Sequence, residues 1–275
     1  MADTTLVARR SDTAALLTIG DSDPALLREL SDARRLVCVH CGGLLMLKAG
    51  PVRLHHFAHV SQADCDYPDH EPESASHRLG KFRLYQHFRQ RATEAALERH
   101  IPATDQRTDC FIGMGDQCYA LEFQQANNAA SRWQERRNLY AQAGFADVWF
   151  LGLIRFRPTA TEPPRSISAF DPLPIPRQAF EAAAGAFLIR DLEKALIAAE
   201  QRLVYLDPDQ ALLTILLARA VAGNTLRAYR YQIPLALAEL RAGQLWTPLD
   251  PLLADYRHYQ QQRRASPNKS MFTDR

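Results

Sequence analysis

The sequence has no long apolar run and no strong excess of charge of one sign. No stretch approaches the roughly 20 apolar residues of a membrane-spanning helix. The first residues, MADTTLVARRSD, lack the apolar core of a secretory signal. We therefore expect a cytoplasmic protein that does not contact a membrane. The formal net charge is only +2, so bulk charge neither requires nor excludes a polyanionic partner, and local clusters must decide.

Cysteine is scarce, with five residues in a chain of 275. In a protein expected to be cytoplasmic, cysteines are ligands or core residues more often than disulfides. Internal repeats are also absent. Hydrophobic residues make up 47% of the chain, which is enough for a folded core and excludes global disorder.

The N-terminal third predicts short elements only. A strand is expected over residues 4–9, and a helix from Pro24 through Ala33, with Asp23 as its N-cap before a proline at the first helical position. Residues 38–65 are rich in cysteine, histidine and glycine and short of helical periodicity. This segment therefore predicts turns and short strands.

The middle of the chain predicts alternating helices and strands. Apolar residues at helical spacing predict one long amphipathic helix from Glu73 to about Arg99, closed by Pro102. Residues 107–112 and 117–124 predict two strands joined by a glycine-bearing hairpin turn.

A second helix is expected over residues 128–143, ended by Gly144. The continuous apolar run 146–153 predicts a buried strand parallel to a neighbour. The predicted order over residues 73–153 is therefore helix, strand, strand, helix, strand.

The C-terminal part opens with a proline-rich segment, 157–176, which holds six of the sixteen prolines and predicts a linker or irregular chain. Residues 177–203, 208–222 and 224–242 are expected to form amphipathic helices. The polar last fifteen residues are expected to fray.

A zinc site is predicted in the Cys/His-rich segment. In the pair Cys38-x-x-Cys41, the spacing lets both thiolates reach one ion, and the two glycines that follow let the backbone turn beneath it. Six candidate ligands lie within 28 positions, and we favour the set Cys38, Cys41, His59 and Cys65, with His56 as the alternate for His59. Four N/S ligands close the tetrahedron, so the Zn²⁺ is expected to be structural. Cys110 and Cys118 lie in strand patterns and are expected to be core residues.

Two strand carboxylates predict a second kind of metal site. Asp109 and Glu122 lie in the two strands of the hairpin, where both can reach one ion. Mg²⁺ prefers such oxygen ligands and supports phosphodiester hydrolysis. Gln124 shares the face of Glu122 and is placed to orient water or hold a phosphate oxygen. The alternative is that both carboxylates are ordinary polar strand positions.

Two further candidates lie at the start of the long helix. Glu73 and His77 are four residues apart and share a face. Glu73 is placed to reach the ion or its water shell, and His77 to handle a proton or contact a phosphate. Alternatively, Glu73 complements the helix dipole and His77 is a surface residue.

Basic residues on both helices suggest contacts to a phosphate backbone. Arg78 and Lys81 lie on the first helix, and Arg132 and Arg136 lie one turn apart on the second. Such residues supply sequence-independent, salt-sensitive affinity for nucleic acid. The alternative is a solvated helix face. No element clearly predicts recognition of base sequence.

A set of short motifs resembles the CoiA-like competence proteins: CVHCGG, RLHHFAH, the following Cys65, ESASHRLGK, RTDC and ALEFQQA. The resemblance covers roughly residues 30–153. It implies a zinc-finger-like N-terminal module and a PD-(D/E)xK nuclease core of the restriction-endonuclease-like fold. It also implies a DNA substrate and a role in DNA uptake or recombination.

By that resemblance, Glu73 matches the first-helix acid, with His77 and Lys81 after it, and Asp109 matches the metal-binding aspartate. Glu122-Phe123-Gln124 matches the E-x-K element with glutamine in place of lysine, a form usual in CoiA-like sequences. A neutral amide stabilises developing negative charge less well than an ammonium. Tyr140 matches a tyrosine of the family, and we expect it to be a packing residue.

We therefore expect an α/β protein with a zinc-binding module over residues 1–70, a nuclease-like core over 71–156, and a proline-rich linker with a helical extension over 157–275. The expected function is a DNA nuclease that uses Mg²⁺ or Mn²⁺. The alternatives are a non-catalytic zinc-containing DNA-binding protein and an adaptor that recruits recombination proteins.

Overall fold

The computed structural model describes residues 4–61, 65, 73–127, 129–159, 165–166, 184–254 and 257. The N-terminal region carries two small sheets around one short helix. Its elements are β1 (Thr4–Thr5), β2 (Val7–Arg10), β3 (Leu16–Thr18), α1 (Pro24–Asp32), β4 (Leu36–Val37), β5 (Leu45–Lys48) and β6 (His56–His59). The predicted cap of α1 is confirmed, because the carboxylate of Asp23 accepts from the amide of Ala25 at 3.0 Å.

The central region begins at a helix and ends at a buried strand. Its elements are α2 (Ala75–Phe88), β7 (Glu94–Leu97), β8 (His100–Ile101), β9 (Gln106–Arg107), β10 (Cys110–Met114), β11 (Gln117–Gln124), α3 (Ala130–Gln142) and β12 (Phe145–Gly152). The predicted hairpin is confirmed by the antiparallel pairing of β10 with β11. The predicted parallel strand is also confirmed, since β12 pairs with β11 from Cys118 opposite Phe145 to Gln124 opposite Leu151.

The remaining described elements are mostly strands: β13 (Arg165–Ser166), β14 (Ala184–Leu188), α4 (Asp191–Glu200), β15 (Arg202–Asp207), β16 (Leu212–Ala222), β17 (Thr225–Pro234), β18 (Glu239–Arg241) and β19 (Gln244–Trp246). One nine-stranded sheet has the order β13-β17-β16-β15-β12-β11-β10-β7, with β14 paired to β17. The C-terminal strands therefore extend the sheet that contains the central strands.

Helices cover the two faces of this sheet. On one face, α2 packs through Leu84 into a core that contains Phe123 and Phe150. On the other face, α3 and α4 pack against Trp149 and Leu151. Alternate residues of β12 thus enter different cores, as the period of two in a strand requires. The result is a layered mixed α/β fold.

The prediction of one long helix from Glu73 to Arg99 is wrong. The helix ends at Phe88, a single 3-10 turn follows, and Glu94–Leu97 forms β7 at the edge of the sheet. The short apolar run of β7 pairs with β10. A short apolar run is ambiguous between helix and strand when periodicity alone is considered, and long-range pairing decided it. The central region therefore adds one strand more to the main sheet than predicted, and it also contains the two-residue strands β8 and β9, which pair with each other.

The prediction of a helical C-terminal extension is also wrong. Within the three segments expected to be helical, the one α-helix among the described residues is α4, while β14, β16 and β17 are strands of the main sheet. The run Leu212–Ala222 is apolar enough to suit a buried helix or a buried strand, and pairing on both edges selects the strand. Most of the proline-rich segment, the last fifteen residues and Asn128 lie outside the described residues. None of the helices that the structure describes has the length and apolar character required to cross a bilayer.

Candidate functional site

The four favoured cysteine and histidine ligands meet at one point. One ligand atom from each of Cys38, Cys41, His59 and Cys65 lies within 4.8 Å of those of the other three. The sulfurs of Cys38 and Cys65 are 3.9 Å apart, and the sulfur of Cys41 lies 3.3 Å from Nε2 of His59. Ligand bonds of about 2.3 Å to sulfur and 2.0 Å to nitrogen in a tetrahedron imply separations of about 3.8 and 3.5 Å. The cluster therefore has the dimensions to hold a metal ion.

The turn that follows the cysteine pair explains its two glycines. Gly42 has a φ of +69°, a conformation that suits glycine. A Cβ on Gly43 would lie 3.1 Å from the sulfur of Cys41 and 3.3 Å from the ring of His59. The alternate ligand, His56, is outside the cluster, and its Nδ1 instead contacts the carbonyl of Leu54 at 3.0 Å. Of these two histidines, His59 is therefore the one placed to bind a metal ion with the three cysteines.

A second cluster lies where α2 begins beside the hairpin. Asp109 directly precedes β10 rather than lying within the strand as expected. Its Oδ2 accepts from the amide of Phe123 at 2.8 Å and lies 3.5 Å from Nε2 of His77. The other ring nitrogen of His77 lies 3.7 Å from Oε1 of Glu73, and the ring stacks on Phe123 with 5.7 Å between centroids. The structure thus brings Glu73, His77 and Asp109 together.

This cluster is charged and partly open. Burial lowers the pKa of His77, but the charges of Asp109 and Glu73 outweigh burial and leave that pKa above its ordinary value. Burial opposes ionisation of Asp109, but the charge of His77 and the bond between them hold its pKa well below the usual range. The side chains of His77 and Asp109 remain 22% and 19% exposed. A solvent-borne ligand can therefore reach the imidazole of His77 beside the carboxylate of Asp109.

Glu122 lies on the α3 side of β11, buried against a cation and a phenol. Its Oε1 accepts from the hydroxyl of Tyr140 and lies 2.8 Å from Nη2 of Arg136. Burial raises the pKa of Glu122, Arg136 lowers it, and the charge of Asp109 raises it again, to about 7. Tyr140 is fully buried, as expected of a packing residue, and in addition donates to the carboxylate.

Gln124 is turned toward its own loop. Its amide nitrogen donates to the carbonyl of Ala126 at 3.0 Å. The next residue, Gln125, ties this loop to the start of α2, accepting from Ser74 at 2.7 Å and donating to Ser76 at 2.8 Å. The end of β11 and the beginning of α2 are therefore joined directly.

Comparisons with known proteins identify both parts of the chain. Residues 73–217 match the family model described as the nuclease-like domain of competence protein CoiA. Residues 21–68 match the N-terminal domain of the same protein family. The chain belongs to the CoiA family.

A curated relative agrees with this assignment. The competence protein CoiA of Bacillus subtilis (strain 168) is 35% identical over 128 residues, which are 46% of this chain and 34% of the relative. The matched part thus spans about a third of the relative's length. No solved structure matches the chain. The nuclease-like match ends within β16, so it includes strands in segments for which the sequence predicts helices.

Two of the four basic residues expected to contact a phosphate backbone are internal in this CoiA-family chain. Lys81 is fully buried and paired with Glu73 and with Glu98, the latter at 2.7 Å. Arg78 is 7% exposed and donates to Thr4 Oγ1 at 2.8 Å and to a backbone carbonyl. The expectation that Arg78 and Lys81 contact phosphates at the surface is therefore wrong. Hydroxyl and carbonyl oxygens bind Arg78 in the interior, and carboxylate oxygens bind Lys81 there.

The expected basic face of α3 is divided in the same way. Arg136 points inward to Glu122 and donates to the carbonyl of Arg107 at 3.1 Å. The expectation that Arg136 faces a phosphate backbone beside Arg132 is therefore wrong. Arg132 is half-buried on α3, and its predicted contact with DNA stays a prediction.

Glu98 is a buried acid that no motif in the sequence singled out. Its side chain is only 3% exposed and accepts from the ammonium of Lys81 and from the hydroxyl of Thr5. The long helix predicted from Glu73 to about Arg99 included Glu98 and gave it no role. Because α2 ends at Phe88, Glu98 directly follows the short strand β7, where a single carboxylate next to apolar residues is unusual.

Proposed function

We propose that this CoiA-family protein is a divalent-metal-dependent nuclease that cleaves DNA in a competence-related process. The observation that carries this proposal is that Glu73, His77 and Asp109 lie together beside β11, the strand that contains Glu122. The side chains of His77 and Asp109 are partly exposed to solvent. The family match to a nuclease-like domain supports the same function. Helix α2, the β10–β11 hairpin, α3 and parallel β12 support a restriction-endonuclease-like core.

The acidic residues suit a hard cation. Oxygen donors from carboxylates are the ligands that Mg²⁺ and Mn²⁺ prefer. Among the described residues, Glu73 Oε2 is a buried carboxylate oxygen without a hydrogen-bond partner, as expected where a cation belongs. We assign Asp109 and Glu122 as ligands, with Glu73 at the ion or its water shell. When bound, such an ion polarises the phosphate and activates water for hydrolysis.

The protein's own groups have separable roles at this site. The ring of His77 is placed to hold a phosphate oxygen or to give a proton to the leaving oxygen, because the neighbouring carboxylates favour its protonated form and the side chain is reachable from solvent. The amide of Phe123 and the ring of His77 orient Asp109. Gln124 is a neutral donor near the end of β11, and it is placed to orient water once it leaves the carbonyl of Ala126.

We further propose that the Cys/His cluster holds Zn²⁺ in a structural role. Three thiolates and one imidazole match the ligand preference of zinc, and four protein ligands leave no open position for chemistry. DNA remains the proposed substrate, and recombination proteins remain proposed partners.

Two observations favour a second candidate function, which is DNA binding without cleavage. Glu122 is already held by Arg136 and Tyr140. Among the residues that the structure describes, the Cys/His cluster is the one group of three or more cysteine, histidine, aspartate or glutamate side chains whose ligand atoms lie close enough to share an ion. A core adapted to binding would have this arrangement too.

A cleavage assay with matched variants separates the two functions. Single-stranded, duplex and branched DNA are incubated with Mg²⁺ or Mn²⁺ and the zinc-loaded full chain. We expect metal-dependent cleavage that falls at least 100-fold in Asp109→Asn and in Glu122→Gln. The control, Asp105→Asn, removes a carboxylate that is 87% exposed and should leave cleavage unchanged. Binding without cleavage by the folded wild type on every substrate would refute the nuclease and favour the binding protein.

A further inference from the structure

Glu98 contacts three parts of the molecule that are far apart in the sequence. It follows β7 directly and has a φ of +52°, a conformation that a glutamate keeps only where its contacts hold it. Its backbone amide donates to the carbonyl of Asp109 at 3.1 Å. Its carboxylate receives the ammonium of Lys81 at 2.7 Å. Glu98 thus contacts the backbone of Asp109, and it also contacts Lys81, the cation that is paired with Glu73.

Lys81 transmits the position of Glu98 to Glu73. The ammonium is fully buried and forms ion pairs with both carboxylates through their Oε1 atoms. A buried ammonium between two carboxylates fixes the separation of those carboxylates, because leaving either contact strands a charge in the interior. The position of Glu73, and its 3.7 Å approach to His77, therefore depends on Glu98.

The third connection runs to the N-terminal module. The hydroxyl of Thr5 and the amide of Leu6 both donate to the carboxylate of Glu98, the latter at 3.1 Å. Thr5 lies in β1, which pairs with β6, the strand that ends at His59. The N-terminal module thus supplies two of the donors that hold Glu98, and it is built into the acidic site rather than attached beside it.

We propose that Glu98 is a positioning residue of the acidic site, which sets Glu73 through Lys81 and Asp109 through the backbone. The proposal rests on the proposed nuclease function for its kinetic consequence, and on the geometry alone for its structural one. The side chain of Glu98 is only 3% exposed and is not open to a substrate, so its loss should reduce turnover more than substrate affinity.

The experiment compares Glu98→Gln with the control Glu94→Gln in the full zinc-loaded chain. Glu94 is the first residue of β7, the strand that Glu98 directly follows, but its side chain is 62% exposed. Two quantities are measured: kcat and KM for DNA cleavage, and the NMR signals of the His77 ring at one fixed pH, assigned with His77→Gln. We expect Glu98→Gln to lower kcat at least tenfold with KM within twofold, and to shift the His77 signals. Glu94→Gln should change neither.

A milder variant covers the case in which Glu98→Gln does not fold. Thr5→Val removes one donor to Glu98 and keeps the charges, and it should shift the His77 signals in the same direction by a smaller amount. If wild type does not cleave DNA, the proposed function fails, and the His77 signals still decide this proposal. Unchanged His77 signals in folded Glu98→Gln, or in Thr5→Val where Glu98→Gln does not fold, would overturn it.

Discussion

Gly80 offers the sharpest test of how α2 lies on the sheet. The residue is in the interior of the helix, and a Cβ added to it would collide with the ring of Phe123 on β11. Carbon atoms make favourable contact at about 3.5–4.0 Å, and the ring atoms lie far inside that distance. Glycine at this position therefore lets α2 approach the strand that carries Glu122.

The substitution Gly80→Ala sets two effects of opposite sign against each other. Helix propensity favours alanine over glycine by about 1 kcal/mol in a helix interior. Overpacking a filled core costs about 1–3 kcal/mol, and the neighbour here is a rigid, buried ring. Because the added Cβ would overlap the Phe123 ring, we expect a cost at the upper end of that range and a net loss of about 1–2 kcal/mol in the free energy of unfolding. The melting temperature should fall by about 2–4 °C for each kcal/mol.

Denaturant and thermal unfolding measure this change, with Gly50→Ala as the control. Gly50 lies in an exposed loop with nothing within 4 Å of an added Cβ, so alanine there should stabilise the protein by about 0.4–1 kcal/mol or leave it unchanged. Combining Gly80→Ala with Phe123→Leu should cost less than the sum of the single changes, because the two side chains compete for one space. A Gly80→Ala protein as stable as wild type, or more stable, would show that the helix does not lie this close to β11.

Two further predictions concern the Cys/His cluster and the buried Glu98. Cys65→Ala should abolish binding of one zinc per chain and lower the melting temperature, as measured by metal analysis and thermal unfolding, whereas His56→Ala should retain the metal; zinc loss in His56→Ala alone would reassign the fourth ligand. Burial opposes ionisation of Glu98, but the charges of Lys81 and Arg107 outweigh it and hold the folded pKa at about 2. A lowered folded pKa gives stability that is present above the unfolded pKa of about 4.3 and is lost as pH falls through the folded value. Unfolding midpoints of wild type should therefore fall more steeply from about pH 5 to 2 than those of Glu98→Gln, and parallel curves would contradict the ion pair.

Local signals in the sequence were sufficient for several elements and for the Cys/His cluster. The cap at Asp23, the hairpin, and the apolar strand after Gly144 all depend on neighbours within a few residues. The cysteine pair, with His59 and Cys65 nearby, needs only a short loop to close on one ion. Spacing therefore predicts these features well.

The acidic site was predicted as a set of residues but not as an arrangement. Motif spacing singled out Glu73, His77, Asp109 and Glu122. It could not show that Arg136 and Tyr140 hold Glu122, or that Lys81 is an internal ion-pair partner instead of a phosphate contact. These contacts join residues from different elements, and the direction of a long side chain is set by the partner it meets.

The sequence by itself determined which segments are apolar, where the chain turns, and which side chains can bind metal, because each property belongs to a few neighbouring residues. The tertiary structure alone decided that Glu94–Leu97 and Leu212–Ala222 are strands. A short apolar run satisfies its backbone hydrogen bonds equally well within a helix or with a neighbouring strand. The choice depends on whether a partner strand lies beside it, and that partner comes from a distant part of the chain.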